Sequence, residues 1–232
     1  MTTRILENSL KGIFILVLFI VLTLQSIVAS AQGYRSQNSD IYRGFVASFG
    51  MRSADVSSSI TKIDQTSLSQ AGGQIGLIFG NSVLRSKVGL LGYYSSTGTT
   101  AGSTDLYTSN VAVNFYPLSW VTGKPLMVEP YVTGALNYDQ YKFYGYYINR
   151  EPGETNYSQV EAPYLGKIKQ VNATVGMGLE VRLKNDFSFI HLFSEVRLGK
   201  NLSGKSTNAT FDNTQIRNQM QINFGISFGA HR

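Results

Sequence analysis

This chain predicts an all-β fold: an eight-stranded antiparallel up-and-down transmembrane β-barrel behind a cleaved signal peptide. Three observations predict it. Apolar and polar residues alternate with a period of two in one segment after another, the polar faces carry little charge, and the connections alternate strictly between long and short. The alternation is plainest near the C-terminus. Ile216, Met220, Ile222, Phe224, Ile226 and Phe228 share one face of an extended segment, opposite Arg217, Gln219, Gln221, Asn223, Gly225 and Ser227. Only Asn218 sits among the apolar set. Amides, glycine and a hydroxyl suit a crowded polar lumen better than a water-facing surface, so the apolar face is expected to meet lipid.

The N-terminus assigns the compartment. Arg4 and Lys11 form a basic region, a mainly apolar stretch of twelve residues runs from 13 to 24, and Ala29-Ser30-Ala31 offers a cleavage site. Such a stretch is short for a bilayer helix and right for a secretory signal. Residues 1–31 are therefore read as a signal peptide, 32–40 as a flexible polar lead and 41–232 as the barrel domain. Losing Arg4, Glu7 and Lys11 lowers the formal charge from +6 to +5. The chain has no cysteine, which excludes a disulfide framework and a thiolate zinc site. Its basic residues are scattered, which argues against nucleic acid as a partner. Positive loops facing anionic lipopolysaccharide account for them more simply.

Strands are expected at 42–51, 73–80, 84–94, 105–117, 126–138, 170–183, 187–200 and 216–229, with no helix after the signal. In the sixth, Val171, Ala173, Val175, Met177, Leu179, Val181 and Leu183 oppose Gln170, Asn172, Thr174, Gly176, Gly178, Glu180 and Arg182. In the fourth, Tyr107, Val111, Val113 and Phe115 oppose Thr108, Asn110, Ala112 and Asn114. The fifth sets Leu126, Val128, Val132, Leu136 and Tyr138 against Glu129, Tyr131, Thr133, Asn137 and Asp139, and the second sets Ile75, Leu77 and Phe79 against Gln74 and Gly76. The first does not separate cleanly, because Phe45, Val46 and Phe49 are unevenly spaced. Connections 52–72, 95–104, 139–169 and 201–215 are long, while 81–83, 118–125 and 184–186 are short. That rhythm matches short periplasmic turns and long external loops, with both mature termini periplasmic.

A soluble eight-stranded barrel of lipocalin type alternates in the same way. Charge distribution separates the two, since a soluble barrel turns its polar face outward and needs Lys and Glu there. The second, fourth, sixth and eighth segments together offer only Asp105, Glu180, Arg182 and Arg217. Tyr93, Tyr94, Tyr107, Tyr116, Trp120, Tyr138 and Tyr141 gather near expected strand ends, where aromatic girdles belong.

The segments Val113-Asn114-Phe115-Tyr116-Pro117-Leu118, Glu129-Pro130-Tyr131-Val132-Thr133-Gly134, Gly176-Met177-Gly178-Leu179-Glu180 and Asn223-Phe224-Gly225-Ile226-Ser227-Phe228 resemble small bacterial outer-membrane β-barrels. The likeness is to the OmpA transmembrane domain and OmpX type, and most of all to the outer-membrane β-barrel domain proteins common in Bacteroidetes. It implies a bacterial outer-membrane location, contact with outer-membrane lipid and lipopolysaccharide, and biogenesis through periplasmic chaperones and the barrel-assembly machinery. The last strand resembles the signal that machinery reads, except that Phe228 is followed by Gly229-Ala230-His231-Arg232.

Eight strands enclose an interior that side chains fill. Arg85, Lys87, Glu129, Glu180, Arg182, Glu195, Arg197 and Arg217 are the candidate lumen charges, and paired with one another they form a plug. A two-residue turn at Asn185-Asp186 would set Arg182 opposite Phe189, Glu180 opposite His191 and Gly176 opposite Glu195, bringing Glu180 and His191 into contact. His191 is the one histidine outside the tail, and no G-x-S-x-G elbow accompanies it. The expectation is a structural polar network of Glu129, Glu180, Arg182, His191, Glu195, Arg197 and Arg217, with no catalytic site, cofactor or metal. The longest loop carries Tyr144, Tyr146, Tyr147 and Arg150, a candidate binding surface for an unknown partner or else a continuation of the rim girdle. The function expected is envelope structure or surface interaction through the loops. A narrow ion or small-solute channel is the first alternative, followed by a lipid-modifying enzyme and a secreted binding barrel.

Overall fold

The computed structural model describes residues 41–57, 67–97, 103–144, 147–149, 158–160, 164–184, 188–206 and 215–231. Residues 1–40, where the signal peptide and polar lead are expected, lie outside them, as do Tyr146 and Arg150. Eight long strands close on themselves: β1 (Tyr42–Ser57), β2 (Ser67–Gly80), β3 (Leu84–Thr97), β4 (Ser103–Phe115), β5 (Val128–Tyr144), β8 (Tyr164–Lys184), β9 (Ser188–Ser206) and β10 (Gln215–His231). Their order round the barrel is β1-β10-β9-β8-β5-β4-β3-β2, and every pairing is antiparallel. A separate hairpin, β6 (Tyr147–Asn149) with β7 (Ser158–Val160), interrupts the connection from β5 to β8. Closure leaves no sheet edge, so the ladder hydrogen bonds are made without water.

The strands overrun their expected limits at the long-loop end. β1 reaches Ser57 rather than stopping near Met51, and β5 reaches Tyr144. The unclear first strand alternates regularly: Phe45, Phe49 and Met51 are exposed on the outside, while Tyr42, Val46 and Arg52 are buried within.

Three expectations about elements, register and strand parity need correction. A short helix, α1 (Pro117–Thr122), occupies the turn between β4 and β5, where none was expected. Pro117 supplies a pre-set φ at its first turn, and Gly123, at φ 68°, ends it by donating its N–H to Ser119 O at 2.9 Å. Six residues are too few to show a helical period. The β8–β9 register is two residues from the expected one: Arg182 pairs with His191, Gly178 with Glu195 and Gly176 with Arg197. A shift of two keeps every side chain on its face. In β10, Ile216 pairs with Val56 but Gln219 with Ala54, an irregularity at Arg217 and Asn218. Both of those residues are exposed, and Ile216 turns inward and is fully buried. Arg217 is therefore not part of the lumen. A second bulge, in β3, leaves both Leu90 and Leu91 exposed.

The resulting wall has a middle band of exposed Ile75, Leu77, Val132, Val175, Met177, Leu198 and Phe224. Outward charges lie toward its ends, with Arg43 on the short-turn side and Asp55, Asp105, Lys142 and Arg217 on the long-loop side. Of the seven expected girdle aromatics, Tyr93, Tyr107 and Trp120 are exposed on the outside and Tyr138 is half-buried there, but Tyr94, Tyr116 and Tyr141 are buried in the lumen. A tyrosine is tolerated on either face, because its hydroxyl can find a partner inside.

Candidate functional site

The lumen is built from the inward residues of all eight strands and falls into four tiers. At the short-turn end, Glu129 and Glu180 are direct cross-strand partners, a like-charge pair that repels unless cations intervene. Arg182 Nη2 donates to Glu129 Oε2 at 2.6 Å, and its Nε donates to Glu180 Oε1 at 3.1 Å. Arg85 Nη1 donates to the same Glu180 oxygen at 2.6 Å, and the Tyr116 hydroxyl donates to Glu180 Oε2 at 2.8 Å. Glu129 Oε1 accepts the Ser119 N–H at 2.7 Å, which ties α1 to the cluster. The Arg85 guanidinium lies between the rings of Tyr42 and Tyr116, 4.2 and 4.4 Å from their centroids.

His191 Nδ1 lies 3.2 Å from Glu180 Oε1 and 3.1 Å from Arg85 Nη1. The expected Glu180–His191 contact is present, although it runs diagonally across the corrected register.

One tier up, Glu195 accepts from Arg197 Nη2 at 2.7 Å, from the Tyr131 hydroxyl at 2.9 Å and from Asn223 Nδ2 at 3.2 Å, and Lys87 Nζ is 3.5 Å away. Gly178 sits between Tyr131 and Glu195 in the pairing. The phenol reaches its carboxylate across that glycine, where a Cβ would lie 2.5 Å from the hydroxyl. A third tier centres on Asp139, which accepts from Arg52 at 3.1 Å, Thr108 at 2.6 Å and Asn172 at 2.7 Å. Above it, Val56, Leu68, Tyr94, Leu106, Tyr141, Phe143, Ile168 and Ile216 pack into an apolar cluster at the long-loop end.

The structure thus places Glu129, Glu180, Arg182, His191, Glu195 and Arg197, with Arg85 and Lys87, inside the barrel and buried. Arg217 is the exception, exposed on the outside at the β10 bulge. The Arg52–Asp139 pair is missing from the expected lumen charges because Arg52 lies beyond the expected end of β1, while Asp139, already on the inward face of the fifth segment, follows that segment's expected end. Extending the parity of each strand into its loop would have found them. Tyr144 ends β5, half-buried, with its ring 5.9 Å from that of Tyr164. Tyr147 begins β6, apart from the barrel wall.

Counted among the described residues, the buried interior holds five Arg and Lys side chains against four carboxylates. Asn114, Thr133 and Gln221 lie near mid-lumen on cross-strand rows with Gly176 and Arg197, and several of their polar atoms have no protein partner. Ordered water is the usual partner of such atoms. No group of three or more potential metal ligands occurs among the described residues. No described helix is long and apolar enough to cross a membrane, which has no bearing on a barrel that crosses with strands.

A closed, all-antiparallel, eight-stranded barrel with a packed polar lumen and an apolar outer wall is the architecture of small outer-membrane barrels. The crystal structure of Neisserial surface protein A shares that fold with this chain, at TM-score 0.51 and 13% identity, covering 81% of this chain and 97% of that one. More distant matches are the N-terminal β-barrel domain of Pseudomonas aeruginosa OprF (TM-score 0.38, 14% identity, 82% and 97% covered) and a major outer membrane protein from Thermus thermophilus (TM-score 0.38, 11% identity, 81% and 99% covered). No protein-family model and no curated protein matches the chain.

Proposed function

We propose that this chain is a non-enzymatic integral protein of a bacterial outer membrane, in which the plugged barrel anchors external loops that serve envelope structure or surface contact. The observation that carries this reading is the inverted polarity of the barrel. Its buried interior is rich in charge and amide, while its exposed wall is a band of aliphatic and aromatic side chains with charges only toward the two ends. A water-soluble barrel has the opposite arrangement. The short-turn end, which also holds the start of β1 and the end of β10 at the Tyr42–His231 pair, is the periplasmic side in this reading.

His191 is poorly placed for acid–base catalysis on lipid. It lies in the charged tier between Glu180 and Arg85, far from the long-loop rim where lipid chains would be handled. A narrow ion or solute channel is the second reading. The mid-lumen amides without protein partners favour it, and the charged tiers and the apolar cluster above them oppose it. Fractionation tests the location. The mature chain should stay in the membrane pellet until detergent is added, and an epitope inserted between β6 and β7 should be cleaved by protease added to intact cells. Release by salt alone, or an epitope protected until the cells are opened, contradicts the reading.

A further inference from the structure

We infer that α1 is a membrane foot, seated in the phospholipid interface of the leaflet on the short-turn side and clamped there by the charged lumen. The inference rests on the lipid-facing reading of the outer wall and extends it to an element that is not part of the barrel. Trp120, Val121 and Met127 are 64%, 76% and 70% exposed, a concentration of apolar surface outside any strand. Trp120 joins this surface to the outer wall, its ring packing 6.0 Å from that of Phe115, the last residue of β4. Lipid is therefore the occupant that already adjoins it. An indole at the headgroup boundary, with aliphatic neighbours dipping toward the acyl chains, is the arrangement interfacial segments adopt.

The clamp is made from the buried side of the helix. Ser119 is fully buried and gives its backbone N–H to Glu129, whose other oxygen holds Arg182. The foot is thereby fixed to the same carboxylate that closes the short-turn end of the lumen. The turn at residues 81–83 carries no such patch: Asn81 and Val83 are buried, and the Asn81 side chain caps the turn by accepting from Val83 and Leu84.

Trp120 is the only tryptophan in the chain, so its fluorescence reports on the foot alone. The test places the full mature protein in phosphatidylcholine vesicles with bromines either near the carbonyl end or near the terminus of the acyl chains, with iodide on both faces of the bilayer. The expected result is blue-shifted emission, shielded from iodide and quenched most by bromines near the carbonyl end. A companion chain, Trp120→Phe with Met177→Trp, moves the reporter to the middle of the outer wall and should be quenched most by the deep bromines. If Trp120 is open to iodide and unquenched by lipid while the Met177→Trp chain is quenched, the foot is overturned and its patch is left for a protein partner. Strongest quenching of Trp120 by the deep bromines also overturns it. If neither reporter is quenched, the lipid-facing reading of the whole barrel fails and the foot fails with it.

Discussion

Replacing Glu180 with Gln removes the anion that most of the short-turn tier is built around. Glu180 accepts from Arg85 at 2.6 Å, Arg182 at 3.1 Å and Tyr116 at 2.8 Å, and it is fully buried. Arg182 keeps Glu129 at 2.6 Å after the change. Arg85 does not fare as well: what remains to it is the neutral amide oxygen of the new side chain, the Asn81 carbonyl at 3.1 Å, His191 and the faces of two tyrosines, none of which carries a full negative charge. Breaking a buried ion pair from one side costs about 3–5 kcal/mol, most of it from the stranded partner. The assay is reversible urea unfolding of the mature chain in vesicles, followed by the band shift between folded and unfolded barrel. Pairing Glu180→Leu with Arg85→Met removes both charges, so the pair should be more stable than the sum of the single changes by at least about 1 kcal/mol. A loss below about 1 kcal/mol in Glu180→Gln, or strict additivity in the double variant, refutes the claim that this carboxylate organises the tier.

Three further outcomes follow from the same geometry. Gly178→Ala should cost about 1–3 kcal/mol in the same unfolding assay, because the new methyl meets the Tyr131 hydroxyl and the Ser194 carbonyl oxygen. Arg217→Gln should change stability by less than about 0.5 kcal/mol, as exposed positions do, whereas Arg197→Gln, which leaves Glu195 short of a partner, should cost several times more. Asp139→Asn should lower stability by about 3 kcal/mol, since Arg52 loses the one carboxylate that meets it among the described residues and the acceptor for Thr108 and Asn172 is weakened. Equal effects at Arg217 and Arg197 would mean that the β10 bulge is misplaced.

The face of almost every strand residue was legible in the sequence, because parity is a local property. Met177 against Glu180, or Leu198 against Arg197, needs no knowledge of the neighbouring strand. Parity fails where a residue is inserted. At Arg217 and Asn218 one extra residue in β10 moves Ile216 from the outer set to the inner one, and the lone Asn218 among apolar neighbours was the visible trace of that bulge. Register was less legible than face, since a shift of two between β8 and β9 leaves the alternation unchanged. The Glu180–His191 contact tolerated that shift because long side chains reach diagonal neighbours as well as direct ones.

Tyrosine was the residue type least decided by pattern. Tyr93 and Tyr94 are adjacent, yet one faces out and hydrogen-bonds Asp105 while the other lies under Arg52 inside the lumen. Helix α1 was illegible for a different reason: what makes it is Pro117, Gly123 and a hydrogen bond to Glu129 rather than a periodic face.

Planar-bilayer recording with the purified mature chain tests the central claim, a barrel whose lumen is filled, most directly. On the proposed reading the charged tiers around Glu180, Glu195 and Asp139 and the apolar cluster above them block the lumen, so the wild-type protein should insert without steady single-channel steps. Reproducible, long-lived conductance steps from the wild-type chain would contradict the account and establish the mid-lumen amides as part of a channel.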